Sequence, residues 1–113
     1  MKKEDLARLK DLVKQYRKNR TAFWNKVQKD RSSDQEIRSI EQQREELLAQ
    51  MEPLQEILFK EIAASDNHNM KYAVKCFYRG VRVHSIAESL SYTEKYIHEL
   101  IREAESMVTR GEQ

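Results

Sequence analysis

The sequence predicts an all-α protein: a long, coiled-coil-like N-terminal helical hairpin followed by a C-terminal unit of three short helices. Three observations lead there. The 113 residues include only two glycines and one proline, too few turn formers for a β-sandwich or barrel. Charged residues make up 35% of the chain, and the good helix formers Lys, Glu, Arg, Gln and Leu dominate. Apolar residues recur at helical spacing from the first turn onward.

Leu6, Leu9, Val13, Tyr16, Arg20, Phe23 and Val27 alternate spacings of three and four, the seam of a helix over about 3–29. Leu12 and Trp24 widen that stripe, an outer face that self-association would cover. The polar run Asp30-Arg31-Ser32-Ser33-Asp34 ends the helix. Ser33 or Asp34 can cap the next one, and Ser33 stands three residues before Glu36, the capping-box spacing. A second seam follows through Ile37, Ile40, Arg44, Leu47, Met51, Leu54 and Leu58. Pro53 should kink this helix without breaking it, because the seam keeps its register. A short connection favours antiparallel packing and sets Arg20 opposite Arg44, with Glu41 and Glu45 as the carboxylates to neutralise them. A helix of residues 3–29 is ~40 Å long, so the hairpin should project as a rod.

The polar stretch Ser65-Asp66-Asn67-His68-Asn69 divides the chain into a hairpin of residues 1–64 and a C-terminal domain of residues 65–113. The latter reads as helices at about 70–79, 83–90 and 93–110. Gly80 ends the first, and Ser91-Tyr92-Thr93 separates the other two.

Net charge is +2, unevenly spread. Residues 1–31 carry eleven Lys/Arg against four Asp/Glu, whereas residues 32–66 carry three against nine. Two readings fit: complementary packing of a basic and an acidic helix, or a basic arm kept for nucleic acid. No apolar run approaches the ~20 residues of a membrane span, and no secretory apolar segment follows the charged N-terminus. A soluble, cytoplasmic protein is expected. His68, His84 and His98 lack metal-ligand spacing, and Cys76 has no second cysteine, so neither a metal nor another cofactor is expected and Cys76 reads as a buried structural thiol. Without a glycine-rich phosphate loop or a Ser/His/Asp arrangement, the expectation is a protein that is not an enzyme.

The stretch Val83-His84-Ser85-Ile86-Ala87 through Ile101 carries the functional signal. A helix-turn-helix needs a small residue where two short helices touch and apolar residues at fixed offsets. Ala87 is that small residue, with Ile86 and Leu90 beside it. Tyr92 is the apolar plug of the turn, Thr93 the cap of the last helix, and Ile97 and Leu100 its inward positions.

The segment from Tyr72 to Val108 resembles region 4 of bacterial sigma factors. It resembles more closely small Gram-positive phage and prophage regulators of the RinA/ArpU kind. Cys76-Phe77-Tyr78-Arg79-Gly80 matches their aromatic stretch ending in glycine, Ile86-Ala87 their Ile-Ala, and Ser91-Tyr92-Thr93-Glu94-Lys95-Tyr96-Ile97 their turn. The resemblance covers about a third of the chain and implies DNA binding and control of phage late or packaging-gene transcription. Ser91 replaces the usual turn glycine, Arg82 stands where a capping Ser is common, and Glu99 and Glu103 stand where basic residues are frequent.

Helix-turn-helix geometry turns Thr93, Glu94, Lys95, His98, Glu99 and Arg102 outward on the recognition helix. Lys95 and Arg102 suit guanine, Glu94 or Glu99 cytosine, and Thr93 a phosphate. Lys71, Lys75, Arg79 and Arg82 are candidate phosphate contacts. The expected function is a double-stranded-DNA-binding transcriptional regulator, homo-oligomeric through residues 3–63. Two alternatives stay open: an adaptor contacting RNA polymerase or another phage protein, favoured by the acidic last helix, and a small terminase-type DNA-recognition subunit.

Overall fold

The computed structural model describes residues 1–28 and 34–111. Its secondary structure is entirely helical among these residues: α1 (Lys3–Gln28), α2 (Asp34–Ile62), α3 (His68–Phe77), α4 (Val83–Leu90) and α5 (Glu94–Thr109). Glu4 and Asp5 open α1 and Lys26 closes it, while Asp34 and Glu36 open α2 and Lys60 closes it. Each distribution opposes the helix macrodipole. Pro53 lies inside α2 and removes one backbone donor. The helix continues through it, held by Met51 and Leu58, both fully buried to either side.

The first two helices lie antiparallel. Lys26 pairs with Glu36 at 3.2 Å near the turn. Further along, Asn19 donates to the Ile40 carbonyl at 2.9 Å and to Gln43 Oε1 at 3.0 Å. From there a single buried cluster runs through the whole molecule. Leu6, Leu9, Leu12 and Val13 of α1 and Leu47, Met51, Leu58 and Ile62 of α2 join Met70, Ala73, Val74 and Tyr78, and then the buried faces of α4 and α5. Fully burying one such aliphatic side chain contributes ~1.5–3 kcal/mol. The C-terminal helices are therefore packed onto the hairpin, and the buried cluster takes no residue of α1 beyond Val13 and none of α2 before Leu47. The extents are 49 × 32 × 18 Å and the radius of gyration is 15.9 Å, above the ~13–14 Å of a compact chain of this length.

Polar ties reinforce the packing. Tyr78, fully buried, donates its hydroxyl to Glu105 Oε2 at 2.7 Å, and its carbonyl accepts from Gln55 at 2.7 Å. Lys10 of α1 pairs with the same Glu105. Burial first, and then the hydrogen bond and the charge of Glu105, push the Tyr78 phenol far above its ordinary value.

The structure corrects four local expectations. Leu12 is buried within the chain, because the C-terminal helices extend the core around α1; of the widened stripe only Trp24 is left outside, 58% exposed. Arg20 and Arg44 form no ion pair with Glu41 or Glu45 among the described residues. Instead Arg44 donates to Asn19 Oδ1 at 3.2 Å and lies 4.6 Å over the Phe23 ring, while Arg20 turns toward Tyr16. Tyr92 is 44% exposed, its ring tilted against that of Tyr96 and its hydroxyl accepting from Asn69 at 3.2 Å, because backbone bonds close that turn without a buried plug. Cys76 is half-buried rather than buried. The proposed cap Ser33 and the turn from Asp30 lie outside the described residues.

Candidate nucleic-acid interface

Two turns of the same construction shape the C-terminal unit. At the end of α3, Val81 N–H donates to the Cys76 carbonyl and Gly80 N–H to that of Phe77, both at 3.0 Å. At the end of α4, Tyr92 N–H donates to the Ala87 carbonyl at 3.0 Å and Ser91 N–H to that of Glu88 at 3.3 Å. Each pair is a Schellman motif, which requires a left-handed residue after the helix. Gly80 supplies it with φ +101°. Ser91 supplies it with φ 59° and ψ 39°, bearing the strain that a glycine would not. Thr93 then caps α5, its hydroxyl accepting from Tyr96 N–H at 3.2 Å.

Ile86 and Ala87 of α4 meet Ile97, Leu100 and Ile101 of α5 in the core, so the opposite face of α5 stays in solvent. Glu94, Lys95, His98, Glu99 and Arg102 are all exposed there, as is Thr93 at its start. Lys95 and Arg102 hold no ion pair among the described residues. Glu94 lies 3.8 Å from His84 Nδ1, and His84 Nε2 is 2.9 Å from Glu88, which ties the start of α5 to the first turn of α4.

The four flanking cations differ in their surroundings. Lys71 and Lys75 are half-buried along α3. Arg79 lies 5.1 Å over the Phe59 ring of α2. Arg82, exposed at the N-cap of α4 and making no side-chain cap bond, lines clefts shared with α1. Among the described residues no group of three or more His, Cys, Asp or Glu gathers to hold a metal ion.

Arg17 escaped the sequence reading. It reaches from α1 to the α3–α4 turn, donating to the carbonyls of Gly80 (3.4 Å), Phe77 (3.4 Å) and Val81 (3.3 Å) with its guanidinium over the Phe77 ring. Burial, and then the neighbouring charge of Arg82, lower its pKa. The signal present in the sequence was the dense basic run Arg17-Lys18-Asn19-Arg20, which reads equally well as a solvated face. No family model, curated protein or solved structure matches the chain.

Proposed function

We propose that residues 65–113 form a sigma-region-4-like helix-turn-helix and that the protein is a sequence-specific, DNA-binding transcriptional regulator of the phage type. The observation that carries this reading is the α4–α5 pair: a tight Schellman turn at Ala87–Tyr92, a Thr93 cap, and a shared core behind an exposed stripe of Lys95, His98, Glu99 and Arg102. A recognition helix contacts base edges with its N-terminal residues; Lys95, His98 and Glu99 lie in the first half of α5 and Arg102 one residue past its midpoint. In this reading α5 enters the major groove and Arg82 neutralises a backbone phosphate. Self-association through residues 3–63 is part of the proposal, supported by Trp24, Val27 and Leu48 exposed on α1 and α2.

Selection of duplexes from a random pool, followed by binding of Arg102→Ala, tests it. A bidentate base contact is worth ~1–3 kcal/mol, so the variant should bind the selected site roughly tenfold or more weakly and lose preference at one position. Absence of any selected duplex sinks the reading.

One feature favours a second reading. Glu94, Glu99 and Glu103 outnumber Lys95 and Arg102 on the exposed face of α5, which suits an acidic contact surface for RNA polymerase or another phage protein. Glu99→Lys separates the two, strengthening non-specific DNA binding but abolishing capture of a basic protein partner.

A further inference from the structure

One concave feature lies away from the exposed face of α5. A cleft of ≈ 280 Å³ between α1 and the start of α4 is lined by Arg17, Arg20, Thr21, Trp24, Arg82 and Ser85, with Gly80 and Val81 at its floor. Neighbouring clefts along α1 add Lys18 on one side and Arg44 on the other. No Asp or Glu lines any of the three. Arg17, Lys18, Arg20 and Arg82 form no ion pair among the described residues, although α2 alongside is strongly acidic. Like charges left together without a carboxylate repel one another, an arrangement that costs stability unless an anion is bound.

The chemistry of the lining narrows the anion. Guanidinium groups present planar, forked donors that match phosphate oxygens. Arg17 commits Nε and Nη2 to backbone carbonyls, which fixes its position and leaves Nη1 with no acceptor among the described residues. The Ser85 hydroxyl adds a neutral donor, Thr21 Oγ1 spends its own on the Arg17 carbonyl at 3.2 Å, and Trp24 forms an aromatic wall.

We infer that this cleft binds a phosphate group between Arg17, Arg20 and Arg82, with Trp24 packed against the moiety that carries it. Two sources supply that chemistry, a backbone phosphate of duplex DNA and a free nucleotide. The DNA source rests on the helix-turn-helix reading. It follows from continuity: His84 stands between Arg82 and Ser85 in sequence, and its ring lies 3.8 Å from Glu94 at the start of α5. A duplex seated on α5 then reaches α1 at its edge. The free-nucleotide source needs no helix-turn-helix.

Trp24 is the only tryptophan, so at a fixed protein concentration, which holds self-association constant, a change in its fluorescence on adding ligand reports on the cleft. The full chain and Arg20→Glu are titrated with a nucleoside triphosphate and, at several salt concentrations, with duplex DNA, with helical circular dichroism confirming that the variant folds. Arg20 is chosen because it is exposed and, unlike Arg17, clamps no turn. The expected result is a saturable change in Trp24 emission with at least one ligand and a tenfold or greater loss of affinity in Arg20→Glu. A DNA source also lowers the salt slope by about one phosphate contact or more. If duplex binds the wild type and Arg20→Glu equally, with Trp24 silent, and the triphosphate leaves Trp24 silent too, the cleft proposal is overturned while the helix-turn-helix reading stands. If only the triphosphate binds, and does so through Arg20, the cleft stands and the helix-turn-helix reading fails. No response to either ligand overturns the cleft proposal.

Discussion

Gly80 and Ser91 do the same work at two turns under different constraints. A Cβ at Gly80 would lie 2.7 and 2.8 Å from two ring carbons of Tyr16, and its φ of +101° is one that L side chains rarely adopt. Gly80→Ala should therefore destabilise by ~1–3 kcal/mol, lowering Tm by several degrees in a thermal melt. Ser91 has solvent around its side chain and only backbone strain to relieve. Ser91→Gly should raise stability by ~0.5–1 kcal/mol; a lowered Tm would mean the serine hydroxyl matters more than the strain. Tyr78 gives a pH prediction. Its phenol keeps its proton in the fold at pH values where the unfolded chain has lost it. The stability it contributes is thus fully present below pH ~10 and declines as pH rises beyond that. Alkaline titration of Tm should fall less steeply above pH ~10 in Tyr78→Phe than in the wild type.

At the scale of elements, the apolar seams of α1 and α2 were legible in the sequence because burial follows helical period. The polar layer within them was not. Asn19 is 3% exposed, yet one buried asparagine with its hydrogen bonds satisfied looks, in sequence, like any surface residue. It displaced the expected pairing of Arg44 with Glu41 or Glu45 by taking Arg44 as its own donor. Arg44→Leu should consequently destabilise the hairpin, since Asn19 Oδ1 loses the donor it has, at ~1–3 kcal/mol, whereas Arg20→Leu should be close to neutral in a denaturant melt. The three C-terminal helices lay within two residues of their expected bounds because their caps are local signals: Asn67 and Thr93 at N-termini, Gly80 after α3. The turn at Tyr92 was misjudged because backbone bonds, invisible in sequence, close it. The exposed stripe of α5 was legible from its period, whereas the arginine cleft was not, since it joins residues 17–24 to residues 80–85, a tertiary fact.

At the scale of the molecule, the buried cluster is continuous from Leu6 to Val108, and Lys10, Glu105 and Tyr78 link α1, α5 and the end of α3 across it. A shared core of this kind unfolds as one unit. Far-ultraviolet dichroism and tyrosine absorbance should report a single coincident transition in urea, and two separated transitions would show instead that the hairpin and the C-terminal helices are independent. This joining also places the basic side of α1 beside the start of α4, next to the exposed face of α5, in a way that a free rod would not. The salt dependence of duplex binding by the wild type and Glu99→Lys bears most directly on the central claim, that α5 reads a major groove. The prediction is measurable affinity at low salt, with log K falling linearly against log salt and steepening in Glu99→Lys by about one phosphate contact. No duplex affinity at low salt in either protein would contradict it.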